Sequence, residues 1–412
     1  MSAEPVVVDP YFDPRDPAYV RDPYAVYARL RREAPVHDSP LGFWMITRYD
    51  DVMALLRDDR GSRELWRHNE QYLRNHPGAT PTWVAFIRNQ VQFLDPPAHT
   101  RQRTLVSKAF TPRAIESRRP VIEAIVAELL DAVRSDGRMD VVASLARPLP
   151  YRAICDLLGL PPDDPRIESS WITAIVRGLS TLVTADDMKA AADALERVSR
   201  FVIEVIDERR TRPTNDLLSG LIAAEEQGDR LDDEELVSLV VNLFVGGSET
   251  TMNLIGSGIY SLLRFPDQMA RLRSDPAAMR NVVEECLRFE PPAQFQSRTT
   301  LAPIEVGEVT VPEGQTLFLC LASANRDERR WHDPDRFDVT RQDLQHLAFG
   351  YGIHHCLGAS LARLETQVAL AALVAIPGLA IDGGGAEWGG AAALSQRGLK
   401  TLPVSFAPSD PV

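Results

Sequence analysis

Residues 346–365 read HLAFGYGIHHCLGASLARLE and set Cys356 between a glycine-rich loop and an amphipathic segment. Leu357, Leu361, Leu364 and Val368 share one face of that segment, so the spacing predicts a helix beginning beside the cysteine. The unpaired N–H groups and positive dipole end of a helix N-terminus favour a thiolate. Gly350, Gly352 and Gly358 permit unusual backbone angles and close approach to a planar partner. A thiolate so placed can be a nucleophile, a redox thiol or an axial metal ligand. Structural zinc fits poorly, because it wants four ligands and usually a Cys-x-x-Cys pair. A nucleophile needs a positioned base that the sequence does not identify. One thiolate suffices as the protein ligand of a haem iron, although the loop by itself does not prove haem.

A second constellation lies in residues 233–264, an apolar run with acidic residues at its start. At about 1.5 Å per residue a helix here would span ~48 Å. Its middle carries Gly246, Gly247, Ser248, Glu249, Thr250 and Thr251, and each interior glycine costs ~1 kcal/mol against alanine. Two missing side chains would let a flat ligand lie against the helix, while a hydroxyl bonding back to a carbonyl four residues earlier opens the backbone. Glu249 and Thr250 beside that opening form a candidate proton relay. The competing explanation is glycine for close helix packing with Thr250 as filler.

These segments need a scaffold, and the chain is long enough to supply one. Its 412 residues are 44% hydrophobic and 25% charged, ordinary for a globular protein, and no linker divides it, so a single domain over 1–412 is expected. Helical periodicity predicts helices near 23–34, 49–58, 112–135, 186–211, 233–264, 276–289 and 357–373, with strands at 43–47, paired strands around a Pro-Glu-Gly turn in 304–321, and a short strand at LPVSF. The expected fold class is mainly α with small β sheets. A net charge of −13 disfavours nucleic acid as a partner, and no apolar run long enough to span a membrane is present, which predicts a cytoplasmic location. Cys155, Cys286, Cys320 and Cys356 are far apart, so no disulfide framework is expected.

Phe349-x-x-Gly352-x-His354-x-Cys356-x-Gly358 resembles the haem-thiolate loop of the cytochrome P450 superfamily. Gly246-Gly247-Ser248-Glu249-Thr250 is similar to its oxygen-activation segment, and Glu285-Cys286-Leu287-Arg288 to its Glu-x-x-Arg helix pair, in the family's order. The resemblance covers nearly the whole chain. It implies the P450 fold, haem b (iron protoporphyrin IX) with Cys356 as iron ligand, and Glu249 and Thr250 as the proton relay. It also implies haem contacts from Phe349 and Gly246, and propionate anchors at His99, Arg103, Arg298 and His354. Glu285 and Arg288 become a folding brace with Arg336 as third member, and His355 is left on the surface.

By the same resemblance the chain is a monooxygenase of a soluble bacterial type, a monomer fed by a ferredoxin and ferredoxin reductase, since no flavin or nicotinamide domain is visible. Lys108, Arg113, Arg118, Arg119 and Arg363 are candidate docking cations. The family's substrate regions here hold Trp83, Phe86, Ile87, Val91, Leu243, Val245, Ala293, Gln294, Phe295, Gln296, Leu394 and Ser395. Aromatics mixed with amides suggest a medium-sized substrate with polar handles, such as a secondary metabolite. Alternatives are oxidative aryl coupling, a peroxide-driven oxidation, and a non-catalytic haem sensor. The retained acid and threonine count against the last two.

Overall fold

Thirty-two residues without a break, Asp233–Arg264, form one helix, with the limits the apolar run predicts. Its start is a capping box: Asp232 accepts the Glu235 N–H and Glu235 accepts the Asp232 N–H, so two otherwise orphaned donors are satisfied. Its end is set by Pro266, which opens the next helix. The computed structural model describes residues 9–14, 16–64, 76–108, 110–164, 169–179, 183–224, 229–383, 385–389 and 395–410.

The helices that frame the site are α1 (Tyr24–Glu33), α2 (Ala98–Ser107), α3 (Arg119–Asp131), α4 (Pro148–Leu158), α5 (Ser169–Gly178), α6 (Ala185–Thr211), α7 (Asp233–Arg264), α8 (Met279–Phe289) and α9 (Ala359–Ala375). Helix α7 packs against α4, α5, α6, α8 and α9, and most of its residues are buried. A helix apolar on nearly every side belongs inside a protein. The helix expected over 112–135 is split into Pro112–Glu116 and α3. Pro120 has no N–H and its ring would clash with the carbonyl four residues back, so the chain restarts with proline in the first turn.

The main sheet joins β1 (Val36–Ser39), β2 (Phe43–Ile46), β3 (Gly61–Ser62), β4 (Phe295–Thr300) and β5 (Thr316–Cys320) in the order β1-β2-β5-β4-β3. Only the β2–β5 pair is parallel. Contrary to expectation, the hairpin within 304–321 does not turn at Pro-Glu-Gly. Ile304–Val306 pairs with Val309–Val311 around Gly307, whose φ of 61° suits glycine. After Pro-Glu-Gly the chain enters β5, whose run of buried residues fits a central strand better than a hairpin arm.

One buried ion pair ties this frame to the cysteine loop. Glu285 and Arg288 on α8 are both fully buried, with Nε and Nη2 of the arginine 2.7 and 2.8 Å from the two carboxylate oxygens. The remaining donors of Arg288 reach the carbonyls of Asn325, Pro334 and Arg336. Glu285 also accepts the Asp338 N–H. Asn325 then passes the constraint on, its Oδ1 accepting the Leu347 N–H at 2.7 Å. The expected third member is corrected here: Arg336 contributes only its carbonyl and its side chain is exposed. The additional cation is Arg341, with Nε 3.4 Å from Glu285.

Because removing one partner leaves a buried charge uncompensated, Glu285→Ala or Arg288→Ala should lose ~3–5 kcal/mol of stability. Thermal unfolding and soluble yield check this, and normal values in Glu285→Ala would remove the brace.

Candidate active site

The cysteine loop is held by its own backbone. Gly350 donates to the Leu347 carbonyl at 2.8 Å, and Cys356 donates to the Phe349 carbonyl at 2.9 Å. Gly350 and Gly352 take φ of 69° and 73°, which side-chain-bearing residues rarely adopt. At Gly350 a Cβ would also collide with the Gln296 side chain. Cys356 is exposed, although the protein packs densely around its thiol. Burial raises its pKa, and the N–H groups of Gly358 and Ala359 with the cations of Arg103 and Arg363 only partly reverse that. The expected helix-terminus effect is therefore present but smaller than desolvation. Cys155, Cys286 and Cys320 are buried and unbridged.

Beside this loop the structure gathers cations without enough anions. The His99 and His354 rings lie 4.3 Å apart. Pairing of β3 with β4 sets Arg63 next to Arg298, because Ser62 opposes Thr299. Burial lowers the pKa of both arginines, Arg63 to about 10 and Arg298 to about 9, and the neighbouring Arg63 adds to the effect on Arg298. His354 falls to about 2 through burial and the fields of Arg63, His99, Arg298 and Arg103, so it is neutral. Among the described residues, His99 Nδ1, His354 Nδ1 and Arg298 Nη2 are buried polar atoms with no partner. Buried polar groups are normally paired. Such a cluster fits a ligand carrying carboxylates, and it answers the expected haem propionates with the chain's own donors.

Arg103 was expected as a fourth anchor. Its Nη2 donates to the His355 carbonyl at 2.8 Å, so it also braces the residue before the thiol, while His355 itself is exposed as expected. Arg63 was not anticipated: no local signal marks it, since its place depends on strand pairing with a distant segment. Helix α2, which carries His99 and Arg103, is fixed to the start of α7 by Gln102 and Arg101, both donating to Glu235.

On α7 the two adjacent glycines have different surroundings. A Cβ at Gly246 would meet only Asn242 Oδ1 at 3.9 Å, whereas one at Gly247 would come within 2.9 Å of Ile154 Cδ1 on α4. Gly246 therefore leaves open space and Gly247 permits helix packing, so the two adjacent glycines do different things. Thr250 Oγ1 donates to the Gly246 carbonyl at 2.6 Å, the expected i−4 bond. Burial raises the Glu249 carboxyl, opposed by Arg147 and Arg177.

The expected substrate contacts divide. Trp83, Phe86, Ile87 and Val91 are core residues, and Trp83 packs on Gly178 at the end of α5. Val245 lines a small apolar cavity with Trp171, Ile175, Phe201 and Phe244. Gln294 is spent on Tyr27 and the Pro291 carbonyl, and Phe295 packs with Tyr27 and Phe318. Gln296 retains a buried, unpartnered Oε1. Leu394 lies outside the described residues. Of the proposed docking cations, Arg118, Arg119 and Arg363 are paired with Asp156, Glu116 and Glu284.

Comparison with known proteins agrees with this geometry. The sequence model of the family described as cytochrome P450 matches residues 179–375. The cytochrome P450 monooxygenase PikC of Streptomyces venezuelae is 40% identical over 94% of this chain and 92% of its own length. The 6-deoxyerythronolide B hydroxylase of Saccharopolyspora erythraea is 39% identical over 93% of this chain and 96% of its own. The solved structure of CalO2 superposes with a TM-score of 0.90 at 34% identity, covering 96% of this chain and 99% of that one. With identity and coverage of this extent, the chain belongs to the cytochrome P450 family of haem-thiolate monooxygenases.

Proposed function

We propose that this protein binds haem b through Cys356 and inserts oxygen into a medium-sized secondary metabolite, using electrons from a separate ferredoxin and its reductase. The observation that carries this reading is the trio of buried, unpartnered nitrogens on His99, His354 and Arg298 beside the one exposed thiol. Haem, when bound there, supplies the activation of dioxygen, and thiolate ligation favours O–O cleavage.

The chain's own residues provide the rest. His99, His354, Arg298 and Arg63 would hold the two carboxylates of the haem, with Arg103 both near them and bonded to the loop. Gly246 leaves room on the face of α7. Thr250 presents a hydroxyl whose proton is given to the Gly246 carbonyl, leaving its oxygen to accept from a water or a bound ligand. Glu249, its carboxyl raised by burial, is a group that can give and take a proton beside that hydroxyl. The unpartnered Gln296 Oε1 suits a substrate with a polar handle. Both closely matched relatives above are hydroxylating or monooxygenating enzymes by name, which supports the same class of reaction. Spectral titration of the ferric protein with candidate metabolites, followed by product analysis with a surrogate ferredoxin pair, tests the assignment.

Cys356→Ala should abolish oxygenation and the strongly red-shifted Soret band of the ferrous carbon monoxide complex. A haem-loaded variant that kept that band would require a different ligand. Thr250→Ala should bind substrate and accept electrons nearly as wild type but uncouple, releasing more hydrogen peroxide and less product per NAD(P)H. Equal coupling in variant and wild type, with a substrate lacking a nearby hydroxyl, would sink the relay. Gly246→Ala should fold with equal or up to ~1 kcal/mol greater stability, since alanine favours helix, yet weaken imidazole binding to the ferric haem. Unchanged imidazole affinity would show that the space at Gly246 is not ligand space.

A further inference from the structure

Helix α8 presents two carboxylates in succession, and they serve different partners. Glu285 belongs to the brace. Glu284 faces the other way, where its Oε1 accepts Arg363 Nε at 2.6 Å and its Oε2 accepts Arg363 Nη2 at 2.9 Å. The same Oε2 is 3.1 Å from His346 Nε2. Arg363, one turn into α9, stands 4.5 Å over the centroid of the Phe349 ring. The His346 and His355 rings each lie 6.2 Å from that ring. Phe349 in turn accepts the Cys356 N–H. Arg363 thus uses its fork on a carboxylate and its face on an aromatic ring whose own backbone holds the thiol-bearing residue.

This is not an ordinary surface pair. The side chains of His346 and Glu284 are only 3% and 19% exposed, and Arg363 is 30% exposed. Burial alone would raise the Glu284 carboxyl, but His346 and Arg363 hold it at about 2, so it stays ionised. A cation engaged in this way is committed inward and is poorly placed to serve as a docking charge for an electron donor.

We propose that Glu284 and Arg363 form a charge clamp that sets the potential at the Cys356 sulfur, with Arg363 a positioning residue for Phe349 and Glu284 partly cancelling its charge. The proposal rests on Cys356 being the iron ligand. Reduction of the ferric centre adds one negative charge, which a nearby cation stabilises and a nearby anion opposes. The two partners therefore act on the reduction midpoint with opposite sign, which a purely structural pair would not do.

The test uses the holoenzyme and measures the ferric/ferrous midpoint by spectroelectrochemistry at fixed pH and ionic strength, with carbon monoxide spectra and thermal unfolding alongside. Arg363→Gln should lower the midpoint, Glu284→Gln should raise it, and the double variant should return close to wild type. Arg363→Lys, which keeps the charge but loses the fork, should stay near the wild-type midpoint while melting earlier. Shifts of the same sign in both single variants, or no shift in either, with the thiolate-type carbon monoxide band intact, would overturn the clamp. If Glu284→Gln yields no holoenzyme, the arginine pair decides: a drop in Arg363→Gln that is absent in Arg363→Lys supports the clamp, and equal midpoints refute it. Failure of the parent assignment is a separate result, namely a wild-type carbon monoxide complex lacking the red-shifted band.

Discussion

The bidentate contact between Glu285 and Arg288 is the constraint on which the site depends, because neither charge has access to water. Burying two ions is favourable only when every donor and lone pair is met. Arg288 meets that requirement with three backbone carbonyls drawn from the stretch between β5 and the cysteine loop. The desolvated pair therefore dictates where that irregular stretch must run. Asn325 completes the chain by giving its carbonyl to Arg288 and its side chain to Leu347, at the entrance to the loop.

Around the thiol, desolvation competes repeatedly with specific partners, and the winner differs from residue to residue. Cys356 has helix N–H groups and two cations near it, yet burial prevails. Glu284 is also buried, yet His346 and Arg363 prevail. The cluster of His99, His354, Arg63 and Arg298 has no such resolution within the described residues. Two arginines and two histidines share a buried corner in which Asp95 acts as a counter-charge on both arginines, itself bonded to Ser62 and the Arg63 backbone. Unpartnered nitrogens on three of these side chains suit ligand carboxylates better than any single residue would.

Much of this was legible in the sequence where local chemistry was out of the ordinary. Glycines within an apolar helix and a thiol among glycines marked α7 and the cysteine loop, and the acidic start of α7 marked its first turn. His99, Arg103, Arg298 and His354 were legible only through family resemblance, since an isolated histidine or arginine has no distinguishing spacing. Arg63 was invisible because its neighbour Arg298 is brought to it by the β3–β4 ladder. Arg341 carries no signal of its own, because its approach to Glu285 depends on an irregular stretch whose backbone path is set by Arg288, not by periodicity. The substrate contacts were least legible: an aromatic such as Trp83 satisfies a packing requirement as readily as a binding one.

The positions of the four side chains in this corner also bear on how the molecule is assembled. His99 and Arg63 come from the first quarter of the chain, while Arg298 and His354 come from the last third. The hydrogen bonds of the brace lie within the later segment, but the corner exists only once both segments have met. A dianion seated there is a clasp between chain ends synthesised at different times. Since a ligand that binds only the joined state stabilises it by mass action, the folded fraction is coupled to cofactor concentration. Protein yield and proteolytic lifetime in a cell then become functions of haem supply.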